Sequence, residues 1–141
     1  MGSNVETHRA TMEAFNRRDW AAAAGPMRED ATYTDHPRGE SVKGPVELVD
    51  WMKEWAAGFP DGRSVDHRFI DGGDYTVCLF RAQGTNDGPM GPLPATGRRV
   101  DVPFCEVLHY DGEGKIISGE MFYDVMTMLV QLGHAEPMPT S

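Results

Sequence analysis

The sequence predicts an α+β domain, with helices grouped toward the N-terminus and a meander of long strands after them. Three observations predict it. Apolar residues recur at three- and four-residue spacings in Asn4–Arg18 and again after Pro45, the period of an amphipathic helix. From Ser64 onward the pattern changes to alternation. Short turns, Asp71-Gly72-Gly73 and Asp111-Gly112-Glu113-Gly114, divide the alternating stretches. Strands joined by such short turns pair antiparallel, because parallel neighbours need long crossovers. Helices segregated from an antiparallel sheet define the α+β class.

Taken in order, Val5, His8, Met12 and Phe15 form the apolar stripe of a first helix. Asp19 caps a short second helix through Ala21–Ala24, which Gly25-Pro26 ends. Ala31-Thr32-Tyr33-Thr34-Asp35-His36 alternates as a short strand closed by Pro37. Gly39 to Gly44 reads as loop. Pro45 suits the first turn of a third helix, whose stripe is Leu48, Val49, Met52 and Trp55 with Trp51 beside it. Gly58-Phe59-Pro60-Asp61-Gly62 stops that helix. Strands follow over Ser64–Ile70, Asp74–Thr85, Arg99–Tyr110 and Lys115–Tyr123. The second of these is apolar on both faces and belongs in the middle of the sheet. Asp124 caps a last helix, Val125–Leu132, and Gly133 closes it.

With 141 residues the chain fits a single domain, 1–141, large enough to bury a core without staples. A net charge of −9 argues against nucleic acid and anionic membrane surfaces, which attract basic faces. No apolar run reaches membrane-spanning length, and Met1 to Arg18 lacks the apolar segment of a signal peptide. Met1-Gly2-Ser3 resembles a cloning remnant, and Ala135–Ser141 reads as a loose end. Cys78 and Cys105 sit in apolar runs and are expected as buried free thiols, with a cross-strand disulfide the second choice. Together these features predict a cytoplasmic protein.

The connection from Asp87 to Arg98 is long for a hairpin and rich in Gly88, Gly91, Gly97, Pro89, Pro92 and Pro94. Loops of this length on compact domains are usually functional or disordered. Met90 and Leu93 are its apolar side chains, candidates for a lid or for core plugs.

The order of elements carries several short markers: Phe15-Asn16-Arg17-Arg18-Asp19-Trp20, Asp35-His36-Pro37 with Gly44, Phe59-Pro60-Asp61, Pro94-Ala95-Thr96-Gly97-Arg98-Arg99-Val100, Gly114-Lys115-Ile116, and Tyr123-Asp124 with Gln131-Leu132-Gly133. In this order they resemble the SnoaL-like polyketide cyclase branch of the nuclear-transport-factor-2-like superfamily, over nearly the whole chain. The resemblance implies a strongly curved antiparallel sheet wrapped on helices, a cone with a pocket inside. It implies a cofactor-free enzyme that closes a ring by intramolecular aldol chemistry on a small hydrophobic carbonyl compound. It also implies a homodimer, paired through the outer face of the sheet.

The candidate acid/base group is then Asp124, near the closing strand, although an aspartate there is equally an N-cap. Relatives often carry a second acid three residues earlier, where this chain has Met121. Glu106 and His109 lie on the preceding strand, at odd separation, so a regular strand points only one of them inward. Asp35 and His36 form a further pair, a base with its orienting carboxylate or simply turn chemistry before Pro37. Phe15, Tyr33, Trp51, Trp55, Met90, Leu93, Met121 and Tyr123 are the expected substrate wall. The histidines, His8, His36, His67, His109 and His134, show no metal-ligand spacing, so no metal or other cofactor is expected. Two alternatives stay open. One is a ketosteroid-isomerase-like proton shuttle, which needs one base and an oxyanion donor such as Tyr33 or Tyr123. The other is a ligand-binding or dimerisation protein without activity. An epoxide hydrolase would use Arg99-Val100-Asp101 as its Arg-x-Asp pair, but here the pair follows the Thr-Gly-Arg landmark instead of preceding it.

Overall fold

The computed structural model describes residues 3–139. Met1-Gly2 of the presumed remnant and Thr140-Ser141 of the loose end lie outside them. The elements are α1 (Asn4–Asn16), α2 (Trp20–Ala24), β1 (Met27–Asp35), β2 (Glu40–Lys43), α3 (Gly44–Gly58), β3 (Arg63–Asp71), β4 (Tyr75–Thr85), β5 (Arg99–Tyr110), β6 (Ile116–Tyr123) and α4 (Val125–Leu132). The class is α+β, as expected. Six strands form one curved, unclosed sheet in the order β2-β1-β6-β5-β4-β3. All neighbours pair antiparallel except β1 with β6, which run parallel. The parallel pair follows from topology, since β1 precedes the helix α3 and the whole β3–β6 meander before β6 returns to its side.

The expected Gly39–Gly44 loop contains the short edge strand β2, and β1 begins at Met27 rather than near Ala31. Both were hidden by composition. Met27-Arg28-Glu29-Asp30 is mostly exposed, and Arg28 pairs with Asp30 and Asp111, so the segment lacks alternating apolar residues. The pairing of β2 with β1 is a backbone event that side-chain patterning does not report.

The short sequence markers act as joints. Asn16 bonds the backbone of Ser64 both ways, Nδ2 donating to the carbonyl at 2.9 Å and Oδ1 accepting from the N–H at 2.9 Å. It thereby behaves like a strand partner at the end of α1. Asp19 caps α2 by accepting from the Ala22 N–H at 3.2 Å. Arg18 donates to the Pro60 carbonyl at 2.9 Å, tying the α1–α2 turn to the Phe59-Pro60-Asp61 corner. Asp61 in turn accepts from the N–H and hydroxyl of Thr85 at 2.6 and 2.8 Å, and these donors hold its carboxyl below the usual range.

The 87–98 connection is pinned by one buried side chain. Asn86 is 1% exposed; its amide donates to the carbonyls of Gly58 and Gly88 and its oxygen accepts from the N–H and hydroxyl of Thr96. A side chain at Gly88 would meet the Ala57 carbonyl at 1.9 Å, so that approach requires glycine. Met90 bridges Leu93 and lies against Gly58 at the end of α3.

The core lies between the concave face of the sheet and helices α1 and α3. Even-numbered residues of β5 point into it, with Val102 at 0% and Leu108 at 3% exposure. Cys78 is also fully buried there, and burial pushes its thiol up to about 12. Cys105 faces the other side of the sheet and is half-buried; both cysteines are free.

Candidate functional site

A cavity penetrates this core and encloses about 1050 Å³ of empty space, part of it open to solvent. α1 contributes Thr11, Met12 and Phe15, and α3 contributes Leu48, Trp51, Met52 and Trp55. Across from them stand Tyr33, Phe80, Phe104, Glu106 and Met121 from the sheet. Glu106 is the one carboxylate in this wall among the described residues.

Strand parity decides which member of the Glu106/His109 pair is inside. Phe104, Glu106, Leu108 and Tyr110 are buried in alternation, and Cys105, Val107 and His109 take the opposite face. A carboxylate taken out of water needs hydrogen-bond partners to be tolerable. Glu106 has two. His8 Nε2 stands 2.8 Å from Oε1, and the Tyr33 hydroxyl donates to Oε2. Burial and the adjacent Glu106 carboxyl push the Tyr33 phenol well above its usual value, so it stays a proton donor. The far side of His8 is also occupied: Nδ1 lies 2.8 Å from Thr76 Oγ1, Thr76 Oγ1 lies 2.8 Å from the Tyr110 hydroxyl, and that hydroxyl donates to the Asn4 carbonyl at 3.1 Å.

Asp35 follows Tyr33 by two residues and so shares its face of β1. It is 1% exposed and accepts from the Tyr123 hydroxyl at 3.2 Å and the Arg38 N–H at 3.4 Å. Burial raises its carboxyl above the ordinary aspartate range, offset in part by those donors and by the charge of Arg38. The Trp51 indole N–H lies near enough to favour the charged form of Asp35 yet outside hydrogen-bond geometry. Tyr123 stacks on Phe104 with ring centres 4.3 Å apart and stands behind the cavity wall.

The remaining sequence candidates lie elsewhere. Asp124 is exposed and caps α4, accepting from the Met126 N–H at 3.0 Å and the Thr127 hydroxyl at 2.7 Å. Those bonds hold its carboxyl below the usual range. Its position is therefore that of a cap. His36 is the neighbour of Asp35 but points the other way; it bonds Glu120 at 2.9 Å and stacks on Phe122 on the convex face. His109 is on that face too, 4.0 Å from Glu120. Met90 is held against the end of α3, Leu93 pairs with Met90, and neither lines the cavity. Asp101 pairs with Arg81 on an exposed surface, and of the Arg99-Val100-Asp101 triplet only the apolar Val100 reaches the wall. Phe15, Tyr33, Trp51, Trp55 and Met121 do line it.

Sequence reasoning gave no role to His8, Thr76 or Tyr110. The available signal was His8 itself, a polar residue on the apolar stripe of α1. No group of three or more His, Cys, Asp or Glu side chains among the described residues is placed to hold a metal ion. No helix among them is long and apolar enough to cross a membrane.

The fold recurs in solved structures. A candidate SnoaL-like polyketide cyclase from Jannaschia sp. CCS1 superposes with a TM-score of 0.81 at 24% identity, covering 95% of this chain and 93% of that one. IdmH, a candidate polyketide cyclase from Streptomyces antibioticus, gives 0.80 at 22% identity, covering 94% and 99%. A protein of ketosteroid-isomerase-like fold from Catenulispora acidiphila, solved with trimethylamine, gives 0.77 at 23%, covering 91% and 92%. No curated protein matches the chain in sequence. The SnoaL-like domain family matches residues 8–119, which takes in most of α1, the Glu106 strand and the first half of β6. The chain belongs to the SnoaL-like domain family, within the nuclear-transport-factor-2-like superfamily.

Proposed function

We propose that the protein is a cofactor-free enzyme acting on a small hydrophobic carbonyl compound by general acid/base chemistry, in the manner of a polyketide cyclase, with Glu106 as the proton-transferring group. The observation that carries this is the lone wall carboxylate, Glu106, beside a phenol that burial keeps protonated. In the forward step Glu106 takes a proton from carbon between two carbonyls, and the electron pair of that C–H bond moves to the carbonyl oxygen. The Tyr33 hydroxyl is the donor nearest the developing charge. The enolate carbon then attacks a second carbonyl of the same molecule, and the resulting alkoxide regains a proton from Glu106. The apolar, aromatic wall suits such a substrate and excludes competing water.

The test is Glu106→Gln, assayed with a small β-keto ester by loss of the enol chromophore. A general acid/base group contributes roughly 10²–10⁴-fold, and turnover should fall by that order. Turnover unchanged by this substitution rules out Glu106 as the proton carrier.

One observation favours a second reading. Asp35, on the face of β1 that carries Tyr33, has a carboxyl raised by burial, the direction that makes a carboxylate a stronger base. A ketosteroid-isomerase-like shuttle would move a proton between two carbons without forming a ring, with Asp35 as base and Tyr33 as oxyanion donor. Activity lost in Asp35→Asn and retained in Glu106→Gln selects it.

The proposed assembly is a homodimer through the convex face of the sheet. Ile70, Tyr75 and Phe122 are exposed there beside half-buried Val77, Leu79 and Val107. Sedimentation at micromolar concentration should give twice the 15.6 kDa chain mass, and Leu79→Arg should return it to the chain mass.

A further inference from the structure

The mechanism above uses Glu106 and Tyr33 and leaves unused a run of buried polar groups behind them. His8 is 0% exposed, Thr76 0% and Tyr110 4%, and each is bonded to the next. Counting hydrogens gives the run a direction. The Asn4 carbonyl at its outer end only accepts, and Glu106 at its inner end, when ionised, only accepts. A neutral imidazole has one N–H and one lone pair, and the partner of one nitrogen fixes the state of the other. With Nε2–H given to Glu106 Oε1, Nδ1 must accept, and Thr76 is the one hydroxyl in reach. Thr76 has then spent its hydrogen on His8; the single Tyr110 hydrogen serves either the Asn4 carbonyl at 3.1 Å or Thr76 Oγ1 at 2.8 Å, and the state of His8 does not depend on which. From Thr76 through His8 to Glu106 the bonds point inward.

We infer that His8 is the positioning residue of the cavity carboxylate: held in its Nε2–H form by Thr76, it occupies Oε1 and leaves Oε2, the oxygen facing Tyr33, as the one that exchanges a proton with substrate. This rests on the acid/base role proposed for Glu106. The division of labour survives proton uptake. A proton arriving on Oε2 leaves Oε1 as the carbonyl oxygen of a neutral acid, which still accepts from Nε2–H, and the Tyr33 oxygen can turn to accept from Oε2–H. His8 therefore need not move during turnover. α1, β4 and β5 each supply one or more members of the run, so packing of the helix on the sheet sets the aim of the carboxylate.

Two measurements test it. The first needs no substrate. In ¹⁵N-labelled protein, the two-bond ring correlations of His8, identified by their loss in His8→Gln, should report the Nε2–H tautomer with a slowly exchanging ring proton. Thr76→Val removes the hydroxyl at nearly constant volume and should speed that exchange at least tenfold. A His8 ring protonated on Nδ1 alone, or exchange indifferent to Thr76→Val, overturns the assignment. The second is kinetic. His8→Gln keeps an N–H donor toward Glu106 and should retain kcat within about threefold, whereas His8→Leu, which lets the carboxylate drift, should lose about 100-fold in kcat with KM little changed. Equal losses in the two variants overturn the positioning role. Inactive wild-type protein with the expected tautomer would instead count against the proposed reaction and leave the hydrogen-bond run standing.

Discussion

Glu106 and Glu120 lie on paired strands one register step apart: Glu106 is opposite Met121, and Val107 is opposite Glu120. Each stands near two ring-bearing partners, His8 and Tyr33 for Glu106 and His36 and His109 for Glu120. By residue type the outer cluster looks more catalytic. What separates them is the face of the sheet. The Glu106 side chain is 11% exposed and its partners are buried, whereas Glu120 is 36% exposed and His36 and His109 are more exposed still. In water the outer charges are screened and worth little to one another; inside, the same contacts fix geometry and proton location. Alternation along a strand, one residue either way, decides which glutamate has access to the cavity.

The comparison can be broken most directly by paired substitutions. Glu106→Gln should lose the 10²–10⁴-fold expected of an acid/base group, while Glu120→Gln should stay within about twofold in the same assay. Equal losses would mean that the convex face participates in the chemistry. On stability, Glu106→Ala leaves a buried imidazole and phenol without their acceptor and should cost about 3 kcal/mol in urea unfolding. Glu120→Ala removes an exposed pair and should cost less than about 1 kcal/mol. Gly119→Ala sharpens the same contrast from the side. Its Cβ would stand 2.5 Å from the Tyr33 ring and 2.9 Å from Leu108, so the phenol must be displaced. That overpacking should cost about 1–3 kcal/mol and lower turnover without touching a polar group.

Asp35 supplies a pH-dependent form of the contrast. Its folded value is raised, so the folded chain binds the proton more tightly than the unfolded chain does. The stability this contributes is fully present below the ordinary aspartate value of 3.8 and is lost as pH rises through the folded value. Asp35→Asn cannot ionise. It should match the wild type near pH 3 and become relatively more stable toward pH 7, read as the difference in urea midpoints. The smallest expected effect belongs to Asp124. Asn caps about as well as Asp, so Asp124→Asn should leave both melting temperature and turnover unchanged, and Asp124→Ala should lower only the former.

Much of the fold was legible because its signals are local. The stripes of α1 and α3, the alternation of β4 and β5 and the turn at Asp111–Gly114 each sit in one stretch of chain. The edge strand β2 and the start of β1 were not, because their ordering comes from backbone pairing to distant partners. In the site, the apolar wall was readable from aromatic residues on helical stripes and strand faces. The opposite parity of Glu106 and His109 was readable as well, but not its sense, which depends on which face of β5 the helices cover. Asp124 drew attention because it stands at the end of the closing strand; its two cap bonds lie within its own helix turn and turn it away from the core. His8 escaped notice because its partners are 68 and 98 residues away, a distance over which spacing rules carry no information.

The Asn86 amide has a consequence for how this molecule can change. It closes both ends of the 87–98 connection at once, holding Gly58 and Gly88 on one side and Thr96 on the other. The backbone beside it continues the closure, with the Asn86 N–H on the Arg98 carbonyl and the Gly97 N–H on the Asn86 carbonyl. The residues between Gly88 and Thr96 are mostly exposed and bounded by this clasp, so their length and composition are uncoupled from the register of β4 and β5. Lengthening a flexible loop costs only about 0.6 kcal/mol per doubling. The chain therefore carries a natural insertion point, where descendants could gain or lose whole segments while Glu106, Tyr33 and His8 keep their places.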